Sequence, residues 1–150
     1  MASELMKKDV GGKKIGEYWK LVQIPVFVGI ALSVLVILAP MLAVLGFIGY
    51  LIPLYIGWIA VKNNKYSLKH AAIAGGIAGV VTGFVGGIIS AIWILSGFGM
   101  SAELMAAGYG AGYGAFAAGA AVTAIIVAPI MGAIVDGILA VVGAFAAENV

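Results

Sequence analysis

Residues 71–91, AAIAGGIAGVVTGFVGGIISA, decide how this chain can fold. A small residue stands at every fourth position, and these residues are Ala71, Gly75, Gly79, Gly83, Gly87 and Ala91. On a helix this spacing makes a groove that lets a neighbouring backbone come close. The groove rotates by about 40° at each four-residue step, so one straight partner cannot follow it. The stretch therefore predicts a central helix that contacts at least two neighbours.

The composition indicates a membrane protein. Of the 150 residues, 64% are hydrophobic, and the mean hydropathy is +1.20. Soluble domains contain only about 45–50% apolar residues. The 23 glycines lie inside apolar runs, which favours close helix packing over disorder. Cysteine is absent, so disulfides, thiolate metal sites and iron–sulfur clusters are excluded.

The charged residues predict the topology. Residues 1–20 form a Lys-rich segment that we expect to stay in water on the cytoplasmic side. The apolar run that follows, residues 21–61, would be about 60 Å long as a helix, whereas the hydrocarbon core is about 30 Å thick. It must therefore turn, and Pro40 marks the place. Short Lys-rich segments stay inside, so residues 62–70 return the chain to the cytoplasm and residues 21–61 form a helical hairpin.

We predict an all-α integral membrane protein with five transmembrane helices, near residues 22–39, 41–61, 71–96, 102–128 and 130–147. They form a single domain, residues 21–147, and residues 148–150 are a short tail. Ser101 and Glu103 predict the start of the fourth helix. Pro129 follows Ala128 as Pro40 follows Ala39, which predicts a second hairpin and an external C-terminus. If Pro129 only kinks one long helix, four spans remain and the C-terminus is inside.

A second row of small residues lies in the fourth predicted helix. Its members are Ala107, Ala111, Ala115 and Gly119. With the row on the central helix, it is interpreted as a helix-packing interface. Residues 108–114 hold four glycines of poor helix propensity, so an irregular outer loop is the alternative for this part.

Asp136 is the main functional candidate. It stands among apolar residues, namely Ile134, Val135, Ile138 and Leu139. A carboxylate in such a place is costly, and intramembrane acids often mark ion or proton pathways. Alternatively, Asp136 lies near an interface, where Lys62, Lys65, water or Thr123 satisfies it.

The remaining polar residues predict no catalysis. His70 is the only histidine and has no acid or cysteine beside it, so a solvated side chain is expected rather than a metal ligand. No triad, paired carboxylates or metal-ligand spacing is present in the sequence, so we expect neither an enzyme nor a cofactor. Six lysines are interpreted as topology signals and lipid-headgroup contacts: Lys13, Lys14, Lys20, Lys62, Lys65 and Lys69.

The chain resembles small, Gly/Ala-rich multispan membrane-protein families of archaea that have no established activity. The resemblance rests on Ala39-Pro40, on Gly46 and Gly49, and on residues 70–79, HAAIAGGIAG. It implies a topology and no biochemical role.

Three functions fit these features. The first is association through the Gly/Ala faces, as a homo-oligomer or as an accessory subunit of a membrane complex. The second is a small ion or proton channel or transporter that uses Asp136, and the third is a virus- or vesicle-associated membrane-shaping protein. In each case we expect a multi-pass protein of the cell membrane with a cytoplasmic N-terminus. Its expected partners are lipids and membrane subunits, and not nucleic acid.

Overall fold

The computed structural model describes residues 2–38, 46–96 and 110–150. Four long helices dominate it: α2 (Ile15–Leu38), α3 (Gly46–Lys62), α4 (Leu68–Leu95) and α5 (Gly110–Glu148). Before them come a short helix, α1 (Ala2–Leu5), and a hairpin of two-residue strands, β1 (Asp9–Val10) and β2 (Lys13–Lys14). The all-α class is confirmed.

Three helical stretches are long and apolar enough to cross a membrane: Ile15–Val36, Leu68–Leu95 and Gly114–Glu148. A fourth apolar stretch, Phe47–Lys62, is shorter. At 1.5 Å per residue, α3 is about 25 Å long, and α5 is about 58 Å long. The helices therefore differ widely in length, although all four are strongly apolar.

The prediction of five helices is wrong, because α5 is one helix that continues through Pro129. Proline lacks an N–H donor, but neighbouring helices can compensate for this in a membrane protein. Here α4 packs directly against α5 at Pro129, since a Cβ atom on Gly83 would lie 2.8 Å from the Cα atom of Pro129. Pro25 and Pro53 likewise lie inside α2 and α3. The predicted turn at Ala39-Pro40 and the predicted cap at Ser101 and Glu103 lie outside the described residues.

The helices α4 and α5 pack antiparallel along the row of small residues. Cβ atoms on Gly75, Gly79, Gly83 and Gly87 would meet the carbonyl oxygens of Asp136, Gly132, Ala128 and Ala124, respectively. One helix thus follows the groove past four glycines, or three four-residue steps, contrary to the expectation for a straight partner. Two helices that supercoil around each other can remain in contact along a groove that rotates around the helix axis. Helices α2 and α3 also pack on α4, which is central in the bundle.

The path of α5 fixes where the chain ends. Because α5 runs antiparallel to α4, its last turn lies at the bundle end where α3 finishes and α4 begins. Ala144 packs there with Ala60 and Ala71, and all three are fully buried. The C-terminus therefore lies at the Lys-rich end, together with the N-terminal hairpin. The five-helix prediction put the C-terminus at the end of the bundle opposite the N-terminal segment, and this placement is wrong because α5 is one helix. The side of the membrane that this end faces stays a prediction.

Two further glycines join α3 to α5. A Cβ atom on Gly57 would meet the carbonyl group of Ala140, and one on Gly143 would meet that of Leu54. This crossing was missed in the sequence, because neither glycine belongs to a row with four-residue spacing. It places α3 next to the C-terminal half of α5 and leaves a space between α3, α2 and α4.

Candidate functional site

Asp136 lies on α5 at the edge of this space. Its backbone carbonyl is packed against Gly75 of α4, and its side chain is half-buried. It lines a cavity of about 410 Å³ between the four long helices. The other lining residues are Val26, Gly29, Ser33, Phe47, Gly49, Tyr50, Ile52, Pro53, Ala78 and Thr82. We call this space the Asp136 cavity.

The hydroxyl groups of Ser33 and Thr82 also line the Asp136 cavity. The Ser33 hydroxyl donates a hydrogen bond to the Gly29 carbonyl, with an O···O distance of 2.9 Å. The Thr82 hydroxyl donates to the Ala78 carbonyl at 3.0 Å. A hydroxyl has one hydrogen and two lone pairs, so each of these groups keeps only acceptor capacity. With an ionised Asp136, the three side chains offer oxygen acceptors and no donor, which suits a cation.

The Asp136 cavity lies away from the Lys-rich end of the bundle. On α2 it extends from Val26 to Ser33, about 9 to 20 Å along the helix axis from Lys20. With Lys20 at the interface, as the sequence predicts, a hydrocarbon core about 30 Å thick would enclose the cavity.

Two of the groups expected to satisfy Asp136 at an interface have other contacts. The Lys62 ammonium lies over the Trp58 ring, 5.7 Å from its centroid, at the end of α3. The Thr123 hydroxyl donates to the Gly119 carbonyl, and Thr123 lies about 20 Å from Asp136 along α5. Lys65 is exposed in the turn before α4. The interfacial interpretation, in which Lys65 or water satisfies Asp136, stays a prediction.

A second cavity of about 340 Å³ continues from the first one toward the other end of the bundle. The two cavities share Gly29, Ser33 and Gly49 in their lining. The second also reaches Gly86 and Ser90, and Ser90 lies about 12 Å beyond Thr82 along α4. Together the two cavities form a continuous passage that leads from Asp136 away from the Lys-rich end of the bundle.

The Lys-rich end carries a second cluster of polar and aromatic side chains. His70 makes a hydrogen bond through Nε2 to the Gly11 carbonyl at 3.1 Å and another between Nδ1 and the Ser67 hydroxyl at 2.7 Å. A carbonyl only accepts, so Nε2 carries the proton. The His70 ring also stacks with Tyr18, at 6.3 Å between centroids. His70 is partly buried, and these contacts connect the N-terminal hairpin to α4, a role that the sequence analysis did not predict.

The hairpin has a local reason to form. Gly11 and Gly12 have positive φ angles of 68° and 96°, which glycine adopts without strain. The Asp9 carboxylate accepts a hydrogen bond from the Gly12 amide at 2.8 Å. A Gly-Gly pair is a known signal for a two-residue hairpin turn. The sequence interpretation had taken these glycines only as a break in a water-exposed segment.

Tyr66 completes this cluster in the turn before α4. Burial and the nearby Glu17 carboxylate raise the pKa of the Tyr66 hydroxyl above its ordinary value of 10.0. The Lys13 ammonium lies 4.3 Å from the centroid of the Tyr66 ring, in a cation–π contact. The six lysines singled out above all belong to the hairpin, the start of α2 or the α3–α4 turn, and thus lie at one end. Their contacts with lipid headgroups remain a prediction.

The second row of small residues lies on the outside of α5 where it is described. Ala115 and Gly119 are exposed, and a Cβ atom on Gly119 would meet no atom within 4 Å. Ala111 lies in α5, and Ala107 lies outside the described residues. Within the described residues, no other helix packs against Gly119, in contrast to the row on α4.

Within the described ranges, no group of three His, Cys, Asp or Glu side chains is placed to hold a metal ion. The polar groups of the Asp136 cavity are one carboxylate, two hydroxyl groups with acceptor capacity and the Tyr50 phenol, and its other walls are apolar. The chain matches no protein-family model, no curated protein and no solved structure.

Proposed function

We propose that this chain is a small, non-enzymatic membrane protein that binds a monovalent cation at Asp136 and conducts or transports it across the bilayer. One observation carries the proposal: Asp136 lines a cavity in the apolar part of the bundle, together with the acceptor oxygens of Ser33 and Thr82 and the phenol of Tyr50. A carboxylate in such a place is typical of ion and proton pathways.

The proposed topology has four crossings with both termini in the cytoplasm. It is supported by the positions of the termini and the six lysines at one end of the bundle, because short Lys-rich segments stay on the cytoplasmic side. In this orientation the Asp136 cavity lies nearer the cytoplasm, and the second cavity leads outward.

The experiment is a flux measurement in vesicles that contain the purified protein, with proton and Na⁺ gradients applied in turn. We expect a flux that Asp136→Asn abolishes, because this change removes the charge and keeps the shape of the side chain. Asp9→Asn in the hairpin is the matched control and should keep the flux. If both gradients give no flux, or if Asp136→Asn conducts as well as the unchanged protein, the proposal is wrong.

A second candidate function is association with other copies or with a larger membrane complex. The exposed small residues Ala115 and Gly119 favour it, since such residues let another helix approach closely. The row on α4 does not support this function, because α5 already covers it. Gly119→Leu should then change the mass of the intact assembly in detergent, and an unchanged mass would remove this surface as the contact.

A further inference from the structure

We infer that the Lys-rich end of the bundle binds a phospholipid whose headgroup carries a primary ammonium, between α2 and the α3–α4 turn. This site is separate from the Asp136 cavity and goes beyond the proposed transport. Two neighbouring features lead to it: a small polar cavity that carries one charge of each sign, and an apolar groove that begins about one helical turn farther along the same face of α2.

The polar cavity has a volume of about 390 Å³ and is lined by Glu17, Lys20, Leu21, Asn64 and Tyr66. Glu17 and Lys20 are three residues apart on α2 and are therefore neighbours on its surface. Within the described residues neither of them forms an ion pair. Glu17 accepts a hydrogen bond of 3.4 Å from the Lys14 amide. The cavity thus presents an anion and a cation that both lack a charged partner in this part of the chain.

A headgroup with a phosphate diester and a primary ammonium complements these two charges. The Lys20 ammonium can donate to the phosphate, and the Glu17 carboxylate can accept from the lipid ammonium, in charge-assisted hydrogen bonds. Asn64 uses one amide N–H for the Ile59 carbonyl at 3.1 Å and keeps the other. A quaternary ammonium has no N–H for Glu17, and an anionic headgroup without an ammonium would leave the Glu17 carboxylate without a cationic partner.

The apolar groove between α2 and α3 suits the acyl part of the same molecule. It has a volume of about 260 Å³. Ile24 and Val28 line it from α2, and with Glu17 and Leu21 they recur at intervals of three and four residues, so the polar cavity and the groove share one face of α2. The step from Leu21 to Ile24 is about 5 Å along the helix axis. From α3 the groove is lined by Ile48, Leu51, Ile52 and Tyr55.

The residues around both features fit the order of groups in a bilayer lipid. Tyr18, Trp19 and Lys20 are of the types that are enriched at a membrane–water boundary. The groove residues Ile24 and Leu51 are exposed, as side chains against hydrocarbon are. A phospholipid places its headgroup at the boundary and its chains in the hydrocarbon, whereas the same headgroup without chains would leave the groove uncovered. The occupant is therefore a lipid and not a free phosphate compound.

The test mixes the purified protein in detergent with equal amounts of phosphatidylethanolamine, phosphatidylcholine and phosphatidylglycerol that carry identical dioleoyl chains. Native mass spectrometry measures how much of each lipid stays bound. We expect phosphatidylethanolamine to be retained at least about threefold more than either of the others, because it alone combines a phosphate with charged N–H donors. Glycerophosphoethanolamine, which has the same headgroup and no acyl chains, should not displace it at about tenfold excess.

Four variants connect the retained lipid to the residues. Glu17→Gln should remove the preference for phosphatidylethanolamine over phosphatidylcholine. Lys20→Gln should lower the retention of all three lipids by at least about threefold, since they share the phosphate. Lys7→Gln and Glu148→Gln change exposed charges outside the cavity and should alter neither quantity. Circular dichroism and gel filtration check that each variant folds, and if one does not, the comparison of lipids on the unchanged protein decides.

Each outcome supports or overturns the site. Equal retention of phosphatidylethanolamine and phosphatidylcholine would overturn the recognition of the ammonium, and so would a preference for phosphatidylglycerol. A preference for phosphatidylethanolamine that survives Glu17→Gln would overturn the placement of the site at this cavity. Displacement by glycerophosphoethanolamine would overturn a lipid as the occupant. The proposed ion flux through the Asp136 cavity does not depend on any of these results.

Discussion

Gly79 of α4 and Gly132 of α5 each place a backbone carbonyl where the other would carry a Cβ atom. The two helices are therefore in backbone contact, at a distance that only glycine permits on both sides. Such a contact gains van der Waals attraction and Cα–H···O bonds along its length. This contact also determines the position of Asp136, because the same register packs the backbone of Asp136 against Gly75.

Gly79→Ala is expected to destabilise the bundle. The new methyl group would collide with the carbonyl group of Gly132, which is rigid backbone, so α4 and α5 must move apart. Overpacking of this kind costs about 1–3 kcal/mol. Thermal unfolding in detergent, followed by circular dichroism, should show a lower midpoint.

Gly86→Ala is the control on the same helix. A Cβ atom on Gly86 would meet no atom within 4 Å. Alanine is also a better helix former than glycine by about 1 kcal/mol, so this variant should be as stable as the unchanged protein or more so. Equal midpoints for the Gly79 and Gly86 variants would contradict the backbone contact.

The sequence analysis predicted the central helix but did not identify its partner. A row of small residues shows that a backbone comes close, and its spacing can be read from the chain. On α5 the row that packs against α4 contains Ala124, Ala128 and Gly132, also four residues apart, but the sequence analysis singled out a different row on this helix. Gly143, which contacts α3, has no four-residue row around it.

The main error in the predicted fold, the number of helices, came from the interpretation of Pro129. Pro129 stands after alanine in an apolar run, as Pro40 does, and the two have the same local signal. In water a proline inside a helix usually ends or kinks it. In this bundle α5 continues through Pro129, because α4 packs against that part of the helix.

The site was predicted only in part. Asp136 was found because a carboxylate in an apolar run is unusual. Ser33 and Thr82 were missed, although each places a hydroxyl group inside an apolar stretch. These three residues lie on different helices, α5, α2 and α4, and only the packing of the bundle brings them to one cavity.

The two chain ends should be accessible from the same side of the membrane. The chain has no cysteine, so single cysteines can be introduced by Ser3→Cys and Asn149→Cys. In intact cells an impermeant maleimide should label neither of them, and after permeabilisation it should label both. Ser96→Cys, at the exposed far end of α4, is the control and should be labelled in intact cells. Labelling of the Asn149 variant in intact cells would exclude the four-crossing topology.

His70→Phe is expected to loosen the N-terminal hairpin. Phenylalanine keeps a ring beside Tyr18 but cannot donate to the Gly11 carbonyl. Loss of one hydrogen bond, worth about 1 kcal/mol, raises the open population about fivefold. Trypsin should then cleave after Lys13 and Lys14 faster by a similar factor, because cleavage follows the open population. Asn63→Ala, which changes an exposed side chain in the nearby turn, is the control and should not alter the cleavage rate. An unchanged cleavage rate in the His70 variant would show that this hydrogen bond does not hold the hairpin.

Gly49→Leu should block the route without disturbing the packing. Gly49 lines both cavities, and a Cβ atom there would meet no atom within 4 Å. The leucine side chain can therefore extend into the passage while the helices keep their positions and Asp136 keeps its charge. We expect the Asp136-dependent flux to fall by at least about tenfold, which corresponds to about 1.4 kcal/mol on the barrier, with an unchanged unfolding midpoint. Gly119→Leu adds the same side chain on the outer face of α5, away from both cavities, and should leave the flux per assembled protein unaltered. A normal flux through the Gly49 variant would mean that the ion takes another path.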